Sequence, residues 1–282
     1  MKSPSLLVTI VQSDLYWEDP EANLRMFEEK INAHKEKMEI IILPEMFSTG
    51  FSMNPERFAE TMDGPAVAWM RRMAASNGII IGGSLMIREG GKFYNRFVWM
   101  LPQGEFGYYD KRHLFGAGRE DQHYTPGNKR LIASVKGWKI NLLICYDLRF
   151  PVWSRQSVPL DPVKRQAVAA LVEPEYDLII YVANWPEPRI HAWKTLLQAR
   201  AIENQSYVVG VNRIGLDGNN NNHTGESLIA DPLGQVLHSS GQQDELYTAS
   251  LSAERIDELR KKLPFLKDAD SFMVGDGAQH QL

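Results

Sequence analysis

Apolar and polar positions change period repeatedly along the chain, and each change marks an element. Leu6-Leu7-Val8-Thr9-Ile10-Val11 is a β-branched run that predicts a strand. Asp19 before Pro20 suits a helix N-cap followed by the first helical position. Leu24, Phe27 and Ile31 then recur at spacings of three and four, which predicts a helix to about residue 37 with one core-facing stripe. Ile40-Ile41-Ile42-Leu43 reads as a continuous apolar strand, Val67, Met70 and Met73 as the stripe of a helix over 65–77, and 78–85 as a buried strand packed closely at its glycines. Gly90-Gly91 is a hairpin-type turn, and strands at 93–101 and 107–109 flank a second turn at Pro102-Gln103-Gly104. Later come a buried strand ending at Ile144, a plain Ala-, Val- and Lys-containing helix over 161–170, a strand over 176–183 and a helix over 191–204. Strands at 206–211 and 227–229, an exposed loop over 218–222, a turn at Asp231-Pro232-Leu233-Gly234 and a helix over 253–262 follow. Strand and helix alternate, which predicts an α/β domain over 1–264 with a tail at 265–282 that has little to bury.

Composition narrows the function. A chain of 282 residues, 44% apolar and 23% charged, can bury a large core and is too apolar for disorder. With a net charge of -4 and no Lys/Arg concentration beyond pairs such as Arg71-Arg72, no nucleic acid partner is expected. No apolar run approaches the roughly 18–20 residues of a membrane span, so no membrane partner is expected either. A single cysteine and an N-terminus that runs straight into a strand predict a cytoplasmic protein. The seven histidines show no metal spacing, and neither a metal nor a cofactor is expected.

That cysteine, Cys145, ends the apolar run 140–144 where the chain turns polar at Tyr146-Asp147-Leu148-Arg149. A lone cysteine is often just a small buried hydrophobe. Two further strand exits change the weighing: Glu45 follows 40–43, and Lys111 follows Tyr108-Tyr109. Cysteine-based amide hydrolysis needs a base for the thiol, a cation or N–H donors for the tetrahedral oxyanion, and an acid for the departing amine. Glu45 can supply the first and third, while Lys111 and the backbone N–H of Tyr146 can supply the second. His113 and His123 flank the lysine and are candidates for a papain-like pairing with Cys145, but Glu45 already offers a base.

Pro44-Glu45-Met46-Phe47, Asp110-Lys111-Arg112-His113-Leu114-Phe115 and Ile144-Cys145-Tyr146-Asp147-Leu148-Arg149-Phe150-Pro151 resemble, in order, the three signature segments of the nitrilase superfamily of carbon–nitrogen hydrolases. The likeness extends to Tyr181-Val182-Ala183-Asn184-Trp185-Pro186, Arg200-Ala201-Ile202-Glu203-Asn204 and 225–234, and is nearest to the omega-amidase group. It implies a four-layer α-β-β-α sandwich and a Cys145-Glu45-Lys111 site, with Glu120 matching the second glutamate that supports the lysine. Tyr146 stands where the true nitrilase branch typically carries tryptophan. The stretch 157–174 looks longer than in similar omega-amidases.

The resulting expectation is an amidase acting with water on a small-molecule amide. The terminal amide of a 2-oxo dicarboxylate monoamide, such as 2-oxoglutaramate or 2-oxosuccinamate, would be hydrolysed through a cysteine thioester. Deaminated glutathione or an N-carbamoyl amide is the alternative substrate. A binding or scaffold protein is the alternative of another class, disfavoured because every member of the triad is present. Phe47, Phe115, Tyr146, Arg149 and Trp185 are candidate substrate contacts. Trp185 alternatively caps the sheet, and Arg149 alternatively forms a structural ion pair with Glu173 or Asp147, an ambiguity that Arg189 shares. The resemblance also implies a homodimer or higher homo-oligomer, built through helices beside the nucleophile and the C-terminal segment, with Trp193, Leu196 and Leu197 of 191–204 available to it.

Overall fold

The computed structural model describes residues 2–156, 174–270, 272 and 274. Two six-stranded sheets pair face to face. The first runs in the order β14 (Glu245–Ser252), β1 (Ser5–Gln12), β2 (Ile40–Ile42), β3 (Ile80–Glu89), β4 (Lys92–Met100) and β5 (Phe106–Asp110). The second runs β13 (Val236–Ser239), β12 (Leu228–Ala230), β9 (Tyr207–Asn212), β8 (Leu178–Ala183), β7 (Trp138–Ile144) and β6 (Ile132–Val135). β1, β2 and β3 are parallel, as are β7, β8 and β9, with antiparallel strands on either flank. A hairpin of β10 (Ile214–Leu216) and β11 (Asn222–Thr224) carries the predicted exposed loop at its tip.

Alternation along the strands divides the apolar residues between two cores. Leu6, Val8, Ile10, Ile40 and Ile42 of the first sheet meet Ile140, Leu142, Ile144 and Val182 of the second. On the outer face Ile41, Ile81 and Val98 pack under helices Pro20–Ala33 and Pro65–Asn77 through Phe27, Ile31, Val67 and Met70. Helix Ile190–Asn204 covers the second sheet from outside with Trp193, Leu197 and Ala201. This is the expected sandwich of helix, sheet, sheet and helix. Gly210 permits the last contact, because a Cβ there would come within 2.4 Å of Leu197 Cδ1. Trp193 and Leu197 are thereby core residues rather than the free apolar positions expected, and Ile202 is the apolar side chain the helix exposes.

Asp19 caps the first helix as expected, its Oδ1 accepting from Ala22 N at 3.0 Å. The helix stops at Ala33, four residues before the predicted limit, and Asn23 rather than Leu24 is its buried neighbour on that turn. The Asn23 amide donates to the carbonyls of Tyr16, Asp19 and Ser48, so a polar side chain fills a core position by tying three loop carbonyls together. β14 has no apolar signature of its own, with only Ala249 and Leu251 buried, and is a strand because it pairs with β1 over eight residues. The helix expected over 161–170 lies outside the described residues.

Candidate active site

The parallel strands deliver their C-terminal ends to one side of the sandwich, and two of those ends are bent in the same way. Cys145, directly after β7, has φ of 42°, and Met46, directly after Glu45, has φ of 45°. Non-glycine residues in this region cost about 1–3 kcal/mol each and persist only where surroundings hold them. Ser84 Oγ accepts from Met46 N at 2.8 Å, and Asp147 Oδ2 accepts from Ile144 N at 3.1 Å, which anchors the two bends.

Glu45, Lys111 and Glu120 form one buried charged cluster, their side chains wholly inaccessible. Lys111 Nζ donates to Glu45 Oε1 at 2.9 Å and to Glu120 Oε1 and Oε2 at 3.0 and 2.9 Å. Phe115 N donates to Glu120 Oε2, and Asn184 N donates to Glu45 Oε2 at 2.8 Å. Asn95 Nδ2 bridges both carboxylates, at 2.8 Å to Glu45 and 3.1 Å to Glu120. Burial disfavours the ammonium, but the charges of Glu120 and Glu45 outweigh it and hold Lys111 above its ordinary range. Burial pushes the Glu120 carboxyl up, against the opposing pull of Lys111. For Cys145, burial and then the negative charge of Glu45 push the thiol well up, with Lys111 pulling the other way and a hydrogen bond to Glu45 reinforcing the rise. A thiol that holds its proton more tightly in this way needs a neighbouring base to take that proton as the sulfur attacks, and Glu45 is the neighbour that can do so.

A cavity of about 290 Å³ opens on Cys145 and Lys111. Phe115, Tyr146, Arg149 and Trp185 line it, as do Arg189 and Asn184, whereas Glu45 and Glu120 sit behind Lys111. Tyr146 packs edge-on against Phe115 and Phe150, each at 5.1 Å between ring centroids. Phe47 is placed elsewhere: it is fully buried in the outer core against Phe27 and Trp69, because the bend after Glu45 turns it away from the cavity. The ion pair considered between Arg149 and Asp147 is absent. Asp147 takes its hydrogen bonds from Tyr109, His113 and Ile144, and Arg149 instead lies over the Trp185 ring at 4.9 Å. Glu173 lies outside the described residues. Trp185 is a wall of the cavity, and its Nε1 donates to Arg189 O at 2.8 Å. His113 turns to Asp147 and stacks on Phe150, and His123 does not line the cavity. Among the described residues no group of three or more His, Cys, Asp or Glu has the arrangement of a metal site, and no helix is long and apolar enough to cross a membrane.

Asn95 and Asn184 are polar residues that the sequence reading left out of the site, as are Asp217, Asn219, Asn221 and His223 of the β10–β11 hairpin, which also line the cavity. The signal for Asn95 was a short polar side chain amid the aromatic run of β4, and for Asn184 its place at a strand exit.

The comparisons with known proteins agree with this geometry. Residues 7–261 match the family described as carbon-nitrogen hydrolase. The chain is 40% identical to the omega-amidase YafV of Escherichia coli (strain K12) over 96% of its own length and 99% of that protein's. It is 30% identical to a 2-oxoglutaramate amidase of Bacillus subtilis (strain 168), covering 93% and 96% of the two chains. Among solved structures, a CN-hydrolase superfamily protein of Xanthomonas campestris with an arsenic adduct in its active site superposes with a TM-score of 0.89 at 42% identity, over 96% and 99% of the chains. Nit3 of Saccharomyces cerevisiae, of branch 10 of the nitrilase superfamily, shares the fold with a TM-score of 0.79 at 24% identity, over 93% and 96%. A cysteine at a strand exit and a buried Glu-Lys-Glu cluster in a paired-sheet sandwich, on a sequence with these relatives, make the chain an enzyme of the carbon–nitrogen hydrolase family.

Proposed function

We propose that the protein is an omega-amidase that hydrolyses the terminal amide of a small 2-oxo dicarboxylate monoamide, 2-oxoglutaramate or 2-oxosuccinamate, to the diacid and ammonia. The observation that carries the reading is that Cys145 and Lys111, the latter paired with Glu45, lie together on a cavity whose walls include two guanidinium groups, Arg149 and Arg189. Cys145 Sγ attacks the amide carbon and its proton passes to Glu45. The oxyanion forms against Lys111 Nζ and Tyr146 N–H, which interact more strongly with it than with the neutral carbonyl. Collapse of the intermediate expels ammonia with the proton from Glu45 and leaves a thioester. Glu45 then deprotonates water, which attacks the thioester carbon; the C–S bond breaks, the acid leaves, and the Cys145 sulfur takes the proton back from Glu45.

The substrate assignment is supported by size and charge. A cavity near 290 Å³ suits a molecule of this size, and Arg149, which makes no ion pair with a carboxylate among the described residues, can meet the substrate's carboxylate from its stack on Trp185. A relative named 2-oxoglutaramate amidase supports the same choice. Ammonia release across a panel of monoamides with and without the 2-oxo group is the test. A preference for the 2-oxo acids is expected, and faster turnover of deaminated glutathione or an N-carbamoyl amide would replace this substrate. Mass spectrometry after rapid acid quench should find the acyl group on Cys145, and an adduct on another residue would overturn the thioester.

The active form in this reading is a homodimer. Val152 beside the nucleophile turn and Ile202 on helix Ile190–Asn204 are more than half exposed, apolar positions that a second subunit would cover. A fully active monomer at micromolar concentration in sedimentation would exclude it.

A further inference from the structure

Asp147 takes no part in the chemistry above, yet it has four hydrogen-bond contacts, as many as Glu120 in the charged cluster. It is wholly buried and lies two residues after Cys145. Its Oδ2 accepts from Ile144 N at 3.1 Å, which closes the nucleophile turn on itself, and from Tyr109 OH at 2.7 Å. Its Oδ1 accepts from His113 N at 3.0 Å and contacts His113 Nδ1 at 2.8 Å. The Tyr109 hydroxyl in turn accepts from Arg112 N at 3.0 Å and from Trp153 Nε1 at 2.9 Å.

The partners fall on either side of two residues. Ile144 and Asp147 bracket Cys145; Tyr109, Arg112 and His113 bracket Lys111. Cys145 leaves the second sheet and Lys111 leaves the first, so no backbone ladder ties one to the other. We infer that Asp147 is a positioning residue that sets the separation of the nucleophile from the lysine by clamping the two strand exits together. The inference rests on the roles proposed above for Cys145 and Lys111. A carboxylate suits the task because it accepts at both oxygens, and all its surrounding groups are donors or, at His113 Nδ1, able to donate. An amide of the same shape must turn its NH₂ toward either the Ile144 and Tyr109 donors or those of His113, so one side of the clamp opens.

Asp147→Asn is therefore expected to lower kcat by about 10- to 100-fold, the effect of misplacing reacting groups by an ångström, while KM changes by less than about threefold. Rates are expressed per Cys145 thiol that iodoacetamide can alkylate, which removes misfolded material, and single-turnover mixing isolates thioester formation. Tyr109→Phe keeps the ring and removes only the hydroxyl; it should slow thioester formation in the same direction by a smaller factor, and it carries the test if Asp147→Asn does not fold. Unchanged kcat per alkylatable thiol, with a lowered melting temperature, would reduce Asp147 to a structural cap and overturn the inference. If the parent protein releases ammonia from none of the amides, the failure belongs to the proposed function; if the parent turns over and the variants match it, the failure belongs to the clamp alone.

Discussion

The two sheets share one layout, three parallel strands with antiparallel neighbours on both sides, yet they meet the active site in opposite electrostatic states. The exits of the first sheet carry Glu45 and Lys111, which with Glu120 are sealed from solvent and compensate one another. The exits of the second carry Cys145 and Asn184, an uncharged pair that faces the cavity. Charges in a low-dielectric interior persist only when paired, and breaking such a pair costs about 3–5 kcal/mol. The charged apparatus can therefore be stored ready, with Lys111 reaching the cavity and Glu45 and Glu120 held behind it, beside the nucleophile that the second sheet presents. Architecture alone does not decide which strand end becomes reactive; the partners around it do.

The sharpest test of this division removes the neutral partner. Cys145→Ala and Cys145→Ser should lower turnover by at least about 10⁴-fold, since loss of a nucleophile removes the covalent route. The fold should survive, because Cys145 is half-buried and belongs to no ion pair. Ammonia release and a thermal melt measured on one sample decide it, and substantial activity in either variant would end the covalent mechanism. On the charged side, Lys111→Arg should be nearly as damaging as Lys111→Ala, about 10²–10³-fold in kcat. The ammonium makes three contacts within 3.0 Å in a closed space, where a planar guanidinium cannot set one compact charge. Restoration of activity by arginine would reduce the lysine to an electrostatic bystander.

Coupling between the two sides is readable in the thiol. The negative charge of Glu45 contributes to the raised Cys145 value, so Glu45→Gln should move the midpoint of iodoacetamide alkylation down by about one pH unit while abolishing turnover. An unmoved midpoint would leave burial as the sole cause. The same shift has a defined sign for stability. The folded protein binds the thiol proton more tightly than the unfolded chain, so this contribution is complete below the unfolded thiol value of about 8.5 and is lost as pH rises through the folded one. The smallest effect expected lies at the cavity rim. Arg149→Met should raise KM for a 2-oxo dicarboxylate monoamide by about tenfold with little change in kcat, and exposed Arg189→Met by less. Equal KM values for an uncharged amide in parent and variant would locate the loss in the carboxylate contact.

The local patterns were sufficient for most of the elements, because a strand such as Ile40–Ile42 or a helix such as Pro65–Asn77 is defined by neighbours in the chain. Asp19 with Pro20 announced a cap that the structure contains, and three polar residues at strand exits pointed to Glu45, Lys111 and Cys145 before any contact between them was known. What needed the tertiary structure were the relations that span the chain. β14 exists through its ladder with β1, more than two hundred residues away in sequence. Phe47, next but one to Glu45, belongs to the outer core because a single residue with positive φ turns the chain between them. Asn95 joins two carboxylates that lie 50 residues before it and 25 after it. Periodicity records which face of an element is apolar; it carries no information on which distant polar group will share a closed space, since that depends on how two sheets are brought together and on hydrogen bonds that form only once water has left.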